Sequence, residues 1–402
     1  MTSPTVIPPL SDSARARALA TLERYVLRET PTGDLEASTA FVEELTDRYT
    51  ALGASVVHHP VAGGVHLVAD WPGSGAFADA PPLLLVGHSD TVWPVGTLDS
   101  AVPWTNDGER ITGPGVYDMK SGLVVIEEAL ELLLSTEGPA DLRPVRLIVT
   151  ADEEVGSPTS GELLLSAAEG CAAAIGFESP HPDGSLKVGR LGSTRINIAV
   201  TGVPAHAALD PDKGVSATEE IVDQLLRVRE IAAQATERAA TSTDTTILYN
   251  LGSITAPGRA NVVSDDAAAE LGFRFSDLAI EQEVLGEIAA LTAARAGATV
   301  EVTRLSHRPA WKPRAADVEF AESISRIAQA TLGAPLDQRP AAGGADTNLL
   351  GASDIGVVDG FGPSGGGAHA RSEHIVIASF WQRIELLAAV IAARPVTAIP
   401  PA

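Results

Sequence analysis

His88-Ser89-Asp90-Thr91 closes the apolar run Leu83-Leu84-Leu85-Val86-Gly87. Side chains two residues apart in an extended segment point the same way. The imidazole can therefore bind a metal while the carboxylate holds its other ring nitrogen. Acids recur downstream where they could complete such a site. Asp118 follows the turn Gly113-Pro114-Gly115-Val116-Tyr117 and precedes a helix starting near Lys120. Its spacing allows either a helix N-cap or a ligand at a strand-to-helix junction. Asp152-Glu153-Glu154 follows the apolar run Val145–Thr150, and Glu178 follows Ala174-Ile175-Gly176-Phe177. Any one of these acids alone reads as a solvated loop carboxylate, but a succession of strand ends does not.

A second histidine must come from the C-terminal part. His369 follows Pro363-Ser364-Gly365-Gly366-Gly367-Ala368, and His374 lies a few residues on. His369 is preferred, because a glycine-rich backbone lets a side chain approach a site closely. With Asp118, Glu154 and Glu178 as ligands, two Zn²⁺ leave one positive charge that a bridging hydroxide neutralises. Mixed histidine and carboxylate ligands favour zinc, with manganese or cobalt as substitutes. Two such ions roughly 3.5–4 Å apart can polarise a carbonyl and activate a shared water. Glu153, next to a candidate ligand, is then the candidate general base. Other adjacent glutamates, Glu43-Glu44, Glu127-Glu128 and Glu219-Glu220, are expected on solvated helix faces.

The elements that must position these groups follow from the apolar pattern. Residues 12–30, 36–52 and 120–135 read as helices, and 83–87, 145–150 and 173–177 as short buried strands. Alternation of such strands with helices predicts an α/β fold with a mixed, mostly parallel sheet covered on both faces. Near residue 190 the pattern changes. A strand at 195–201, a helix at 214–240, strands at 245–253 and 267–276, a helix at 281–297 and a strand at 299–304 form a βαββαβ unit. The α/β pattern then resumes with helices at 317–333 and 379–394. The expected domains are a catalytic part at 1–190, an inserted unit at 191–306 and a second catalytic part at 307–402.

Composition narrows the partners. The net charge of −24 disfavours nucleic acid and anionic membranes as partners. No apolar run is long enough to span a bilayer, and Met1–Leu10 lacks the pattern of a secretory signal. The lone cysteine, Cys171, sits in an apolar run and reads as a packing residue. A reducing cytoplasm is the expected compartment. A nucleotide-binding role is disfavoured by the lack of a glycine fingerprint after a strand.

The order His-x-Asp, Gly-Pro-Gly-x-x-Asp-Met-Lys-x-Gly, Asp-Glu-Glu-x-Gly-Ser, Phe-Glu and a late Gly-x-His resembles the co-catalytic zinc peptidases of the aminoacylase, acetylornithine deacetylase and glutamate carboxypeptidase family. It is closest to the glutamate carboxypeptidase type. The resemblance implies that Asp118 bridges two metals, with a cis peptide to Met119. It implies that His88 and Glu178 complete one metal and Glu154 and His369 the other, with Asp90 orienting His88 and Glu153 as base. The motif Gly367-Ala368-His369-Ala370-Arg371-Ser372-Glu373 settles His369 over His374. The inserted unit resembles a lid and homodimerisation domain. His206, in Gly202-Val203-Pro204-Ala205-His206-Ala207, would steady the oxyanion. Asn261 would contact substrate, Arg308 would grip its free carboxylate, and Lys187 would assist. Gly343-Gly344-Ala345-Asp346-Thr347 resembles a substrate loop. Tyr117, Ser121 and Ser193-Thr194 depart from the usual pattern without removing a ligand. The implied activity is a carboxypeptidase acting on a small peptide, with N-acyl-amino-acid deacylation or a non-catalytic metal-binding role as alternatives.

Overall fold

The computed structural model describes residues 7–135, 139–239 and 246–393. Expectations touching Met1–Val6, Ala240, Thr245 and Arg394 lie outside the described residues. The chain divides into two compact units. One comprises Met1–Gly189, Pro313–Ala341 and Ala345–Ala402; the other comprises Arg190–Lys312 and Ala342–Gly344.

The first unit opens with helices α1 (Asp12–Leu27) and α2 (Leu35–Ala51). Ser11 caps α1 by accepting from the Ala14 amide at 3.2 Å, and Asp34 caps α2 by accepting from Ala37 at 3.0 Å. Strands β1 (Ser55–Val61) and β2 (Gly64–Trp71) form an antiparallel hairpin that hydropathy did not predict. No residue of β1 is buried, so it carries no apolar alternation. Then come β3 (Leu83–His88), α3 (Ser121–Leu134), β4 (Val145–Thr150), α4 (Gly161–Ala168) and β5 (Ala173–Gly176).

The second unit contains β6 (Gly192–Thr201), α5 (Ala217–Ala239), β7 (Ile247–Thr255), β8 (Asp266–Phe275), α6 (Leu278–Ala289) and β9 (Thr299–Arg308). Its sheet is antiparallel, in the order β7-β8-β6-β9. Ile196, Ile198, Val200, Leu271, Phe273 and Phe275 pack with α5 and α6 side chains in a core of this unit's own. Helix α6 ends well before the expected residue 297, and β9 runs on to Arg308.

The first unit then resumes with α7 (Ala315–Leu332), β10 (Gly356–Val358), the two-residue β11 (Gly365–Gly366), β12 (His374–Val376) and α8 (Ile377–Ala392). Its main sheet has the order β1-β2-β4-β3-β5-β10. The pairings β3–β4, β3–β5 and β5–β10 are parallel, while β1–β2 and β2–β4 are antiparallel. The fold is thus α/β with a mixed, mostly parallel central sheet. Among the described residues no helix is long and apolar enough to cross a membrane.

Three of the six acids expected on solvated helix faces require correction. Glu127, Glu128 and Glu220 are buried. Arg48 and Tyr25 bind Glu127 at 2.7 and 2.6 Å, and Arg17 binds Glu128 at 2.7 Å. Glu220 accepts from Gln224 and from the Ala294 and Arg295 amides. Buried carboxylates are tolerated where such partners replace water.

Candidate metal centre

Parallel register places the candidate ligands side by side. Strand β3 aligns His88 with Thr150 of β4, so Glu153 and Glu154 emerge just beyond the same level. On the other side Val86 of β3 aligns with Gly176 of β5, and Phe177 donates to the Val86 carbonyl before Glu178 emerges. The carboxyl ends of adjacent parallel strands are where open α/β sheets place their sites. Gly87 is required by packing, since a Cβ there would lie 2.9 Å from the Met119 methyl. The Asp118–Met119 peptide is cis. Asp118 has an extended backbone and α3 has no side-chain N-cap, so the capping alternative for Asp118 does not occur.

Asp118 stands between two imidazoles. Its Oδ1 is 3.2 Å from His88 Nε2, and its Oδ2 is 3.3 Å from His369 Nε2. His88 Nε2 also lies 3.4 Å from Glu178 Oε1, and His369 Nε2 lies 3.2 Å from Glu154 Oε2. Ligand atoms of His88, Asp118 and Glu154 all fall within 4.8 Å of one another, as do those of His88, Glu153 and Glu178. His374 is turned elsewhere, with its Nδ1 2.8 Å from the Ser372 carbonyl oxygen.

Asp90 does more than face the histidine. His88 Nδ1 lies 2.9 Å from the Asp90 backbone oxygen and 3.4 Å from its Oδ1. The Asp90 carboxylate also accepts from the Glu153 and Glu154 amides, both at 3.2 Å, and from the Thr32 hydroxyl at 2.7 Å. The third acid of that run, Asp152, is occupied by Thr159 and Ser160 and anchors the turn. Lys187 Nζ donates to Ser179 Oγ at 3.4 Å, beside Glu178.

The electrostatics suit a cation. Burial disfavours charge on His88, but hydrogen bonds to Asp118, Asp90 and Glu178 outweigh it and raise the pKa well above its usual value. Bonds to Asp118 and Glu154 raise His369 to about 10. Burial would raise Asp118, yet His369 and His88 hold it below the usual carboxylate range. Burial and the Asp118 charge push Glu178 up. Imidazoles whose protons are held by surrounding acids could exchange them for a divalent cation. The donor set, nitrogen and oxygen without thiolate, fits zinc and similar ions.

Residues that sequence reasoning left without a role surround these groups. Glu373 accepts from the indole of Trp93 and from backbone amides of the segment carrying Asp118. Lys120 donates to the carbonyls of Tyr25 and Arg28. Burial pushes the Glu373 carboxyl up to about 7 and brings the Lys120 ammonium down to about 7. The signal for Glu373 was its place in the closing motif.

The second unit holds the other candidates. His206 lies on a short strand paired with Val262–Val263, and Ala207 donates to the Asn261 carbonyl at 3.1 Å. His206 Nδ1 accepts from the Ala208 and Leu209 amides at 3.2 and 3.1 Å. That sets the tautomer with its proton on Nε2. Arg308 ends β9, opposite Ser193 of β6.

Residues 84–393 match peptidase family M20/M25/M40. Carboxypeptidase G2 of Pseudomonas sp. (strain RS-16) is 29% identical over 383 residues, which is 92% of this chain and 88% of that protein. A succinyl-diaminopimelate desuccinylase of Methylobacterium sp. (strain 4-46) is 30% identical over 218 residues, covering 50% of this chain and 52% of its own. In fold, the chain is similar to a tripeptidase from Staphylococcus aureus (TM-score 0.70, 24% identity, 94% of this chain and 98% of that one). It is likewise similar to an M20 family metallo-carboxypeptidase from Sulfolobus solfataricus (TM-score 0.70, 17% identity, 94% and 99%). The chain belongs to peptidase family M20/M25/M40 and is a hydrolytic enzyme.

Proposed function

We propose that the protein is a dinuclear zinc hydrolase that cleaves an amide bond next to a free carboxylate, in the manner of a carboxypeptidase. The observation that carries this reading is Asp118 held between His88 and His369, with one further acid against each histidine. His88, Glu178 and Asp118 would hold one ion, and Asp118, Glu154 and His369 the other. Two zinc ions, when bound, polarise a carbonyl and make water nucleophilic at neutral pH.

The chain's own groups do the rest. Glu153 is buried beside the ligands, with its amide fixed by Asp90. It takes a proton from the attacking water and returns it to the leaving amine. His206 donates from Nε2 to the oxyanion. Arg308 grips the substrate carboxylate with its two-pronged guanidinium, helped by Lys187, and Asn261 contacts the substrate. The second unit also serves as a homodimerisation surface.

Desuccinylase relatives favour a second reading, hydrolysis of an N-acyl group from an amino acid. A panel of dipeptides and N-acyl amino acids, assayed for released amine, separates the two. Glu153→Gln tests the mechanism. It should keep two zinc ions per chain and lower kcat about 10²–10⁴-fold. Unchanged turnover would overturn Glu153 as base, and loss of metal would make it a ligand instead.

A further inference from the structure

Glu373 is fully buried and belongs to two structures at once. Its Oε1 accepts from the Tyr117 and Asp118 amides at 2.9 and 3.2 Å. Its Oε2 accepts from Trp93 Nε1 at 2.6 Å and from the Gly115 amide at 3.1 Å. Every contact is a donor, so only an acceptor-only group satisfies them all. Its backbone closes the turn carrying His369. Ala370 donates to the Gly367 carbonyl at 2.8 Å, and Glu373 donates to the Ala370 carbonyl at 2.9 Å.

That turn is tight. His369 has φ +59° and Gly367 has φ +77°. A Cβ at Gly367 would lie 2.6 Å from the Ser372 carbonyl. Glu373 thus ties the segment bearing Asp118 to the turn bearing His369. The opposite side of the site is held differently. His88 and Glu178 extend from neighbouring parallel strands, and His88 is 1% exposed, while the His369 side chain is 52% exposed.

We propose that Glu373 is a positioning residue that, through the turn bearing His369, retains the ion of Asp118, Glu154 and His369 more firmly than the ion of His88, Glu178 and Asp118, which it reaches through Asp118 alone. The proposal rests on the dinuclear reading above. It makes the two ions unequal for a reason outside their ligands.

The test uses the zinc-loaded full-length chain, freed of excess metal and mixed with a chromogenic chelator. Wild type should release two zinc ions. Glu373→Gln is nearly isosteric but turns an NH₂ toward two of the four donors. It should speed release of one zinc about 10–100-fold, the range for groups that orient ligands, and release of the other by a clearly smaller factor. In a His369→Ala background, the same change should speed release of the remaining zinc by no more than that smaller factor. Equal acceleration of both ions, or a lower melting temperature with neither rate changed, would overturn the proposal. If Glu373→Gln does not fold, Trp93→Phe removes the indole donor alone. It should speed the same single phase by a smaller factor, and no change in either phase would overturn the proposal. A wild-type chain that binds only one zinc would instead overturn the dinuclear reading, and this proposal with it.

Discussion

Asp118, with an imidazole on each carboxylate oxygen, fixes the proton inventory of the site. The acids around them raise the pKa of both histidines, so protons compete with any metal for the same ring nitrogens. A metal bound at these nitrogens would take the place of those protons. Loading the metal-free chain with zinc at pH 7 should therefore release protons, and zinc affinity should fall as pH falls. Calorimetry in buffers of different ionisation enthalpy measures this directly. A binding enthalpy independent of the buffer would show that neither histidine gives up a proton. His88, Asp118, Glu154, Glu178 and His369 stand out as candidates in the sequence because each acid or histidine follows an apolar run or a glycine-rich turn. The contacts of Glu373, marked only by its place in the closing motif, and the second task of Asp90 are not visible there. Most of their partners are backbone amides, which leave no mark on side-chain spacing.

At the scale of elements, legibility followed burial. Strands β3, β4 and β5 are almost wholly buried and stood out as apolar runs. Strand β1, with no buried residue and carrying Pro60, gives no such signal; edge strands tolerate both features. The glycines before His369 suggest, in the sequence, a backbone that lets a side chain approach the site. Instead Gly365 and Gly366 pair with β12, and a Cβ on Gly365 would lie 2.0 Å from the His374 carbonyl oxygen. Close packing explains them, not mobility. Helix α6 was placed too late in the sequence because its cap was overlooked. Asp277 accepts from the Ala279 and Ile280 amides at 2.9 and 3.3 Å. Asp277→Ala should cost about 1 kcal/mol, the usual value of such a cap, read as a lower urea midpoint with an unchanged slope. An unmoved midpoint would show that the cap contributes nothing.

For the whole molecule, the decisive fact is that each unit has a separate apolar core, and all five candidate ligands belong to the first. Ligands that bind the folded state stabilise the part that holds them. Chelation should therefore speed amide hydrogen exchange in β3, β5 and the turn at His369, and leave α5 and β8 unchanged. Mass spectrometry of peptides from the two units would show it, and equal acceleration in both would refute it. The same layout has a consequence for the order in which the protein is made. Five of the six strands of the main sheet, and the proposed ligands His88, Asp118 and Glu178, are synthesised by residue 178. His369 follows roughly 190 residues later, which at ribosomal speeds is about 10–40 s. On the proposed dinuclear reading, a growing chain would have synthesised the protein ligands for one ion well before the last ligand for the second, so two metals would have an opportunity to arrive in sequence.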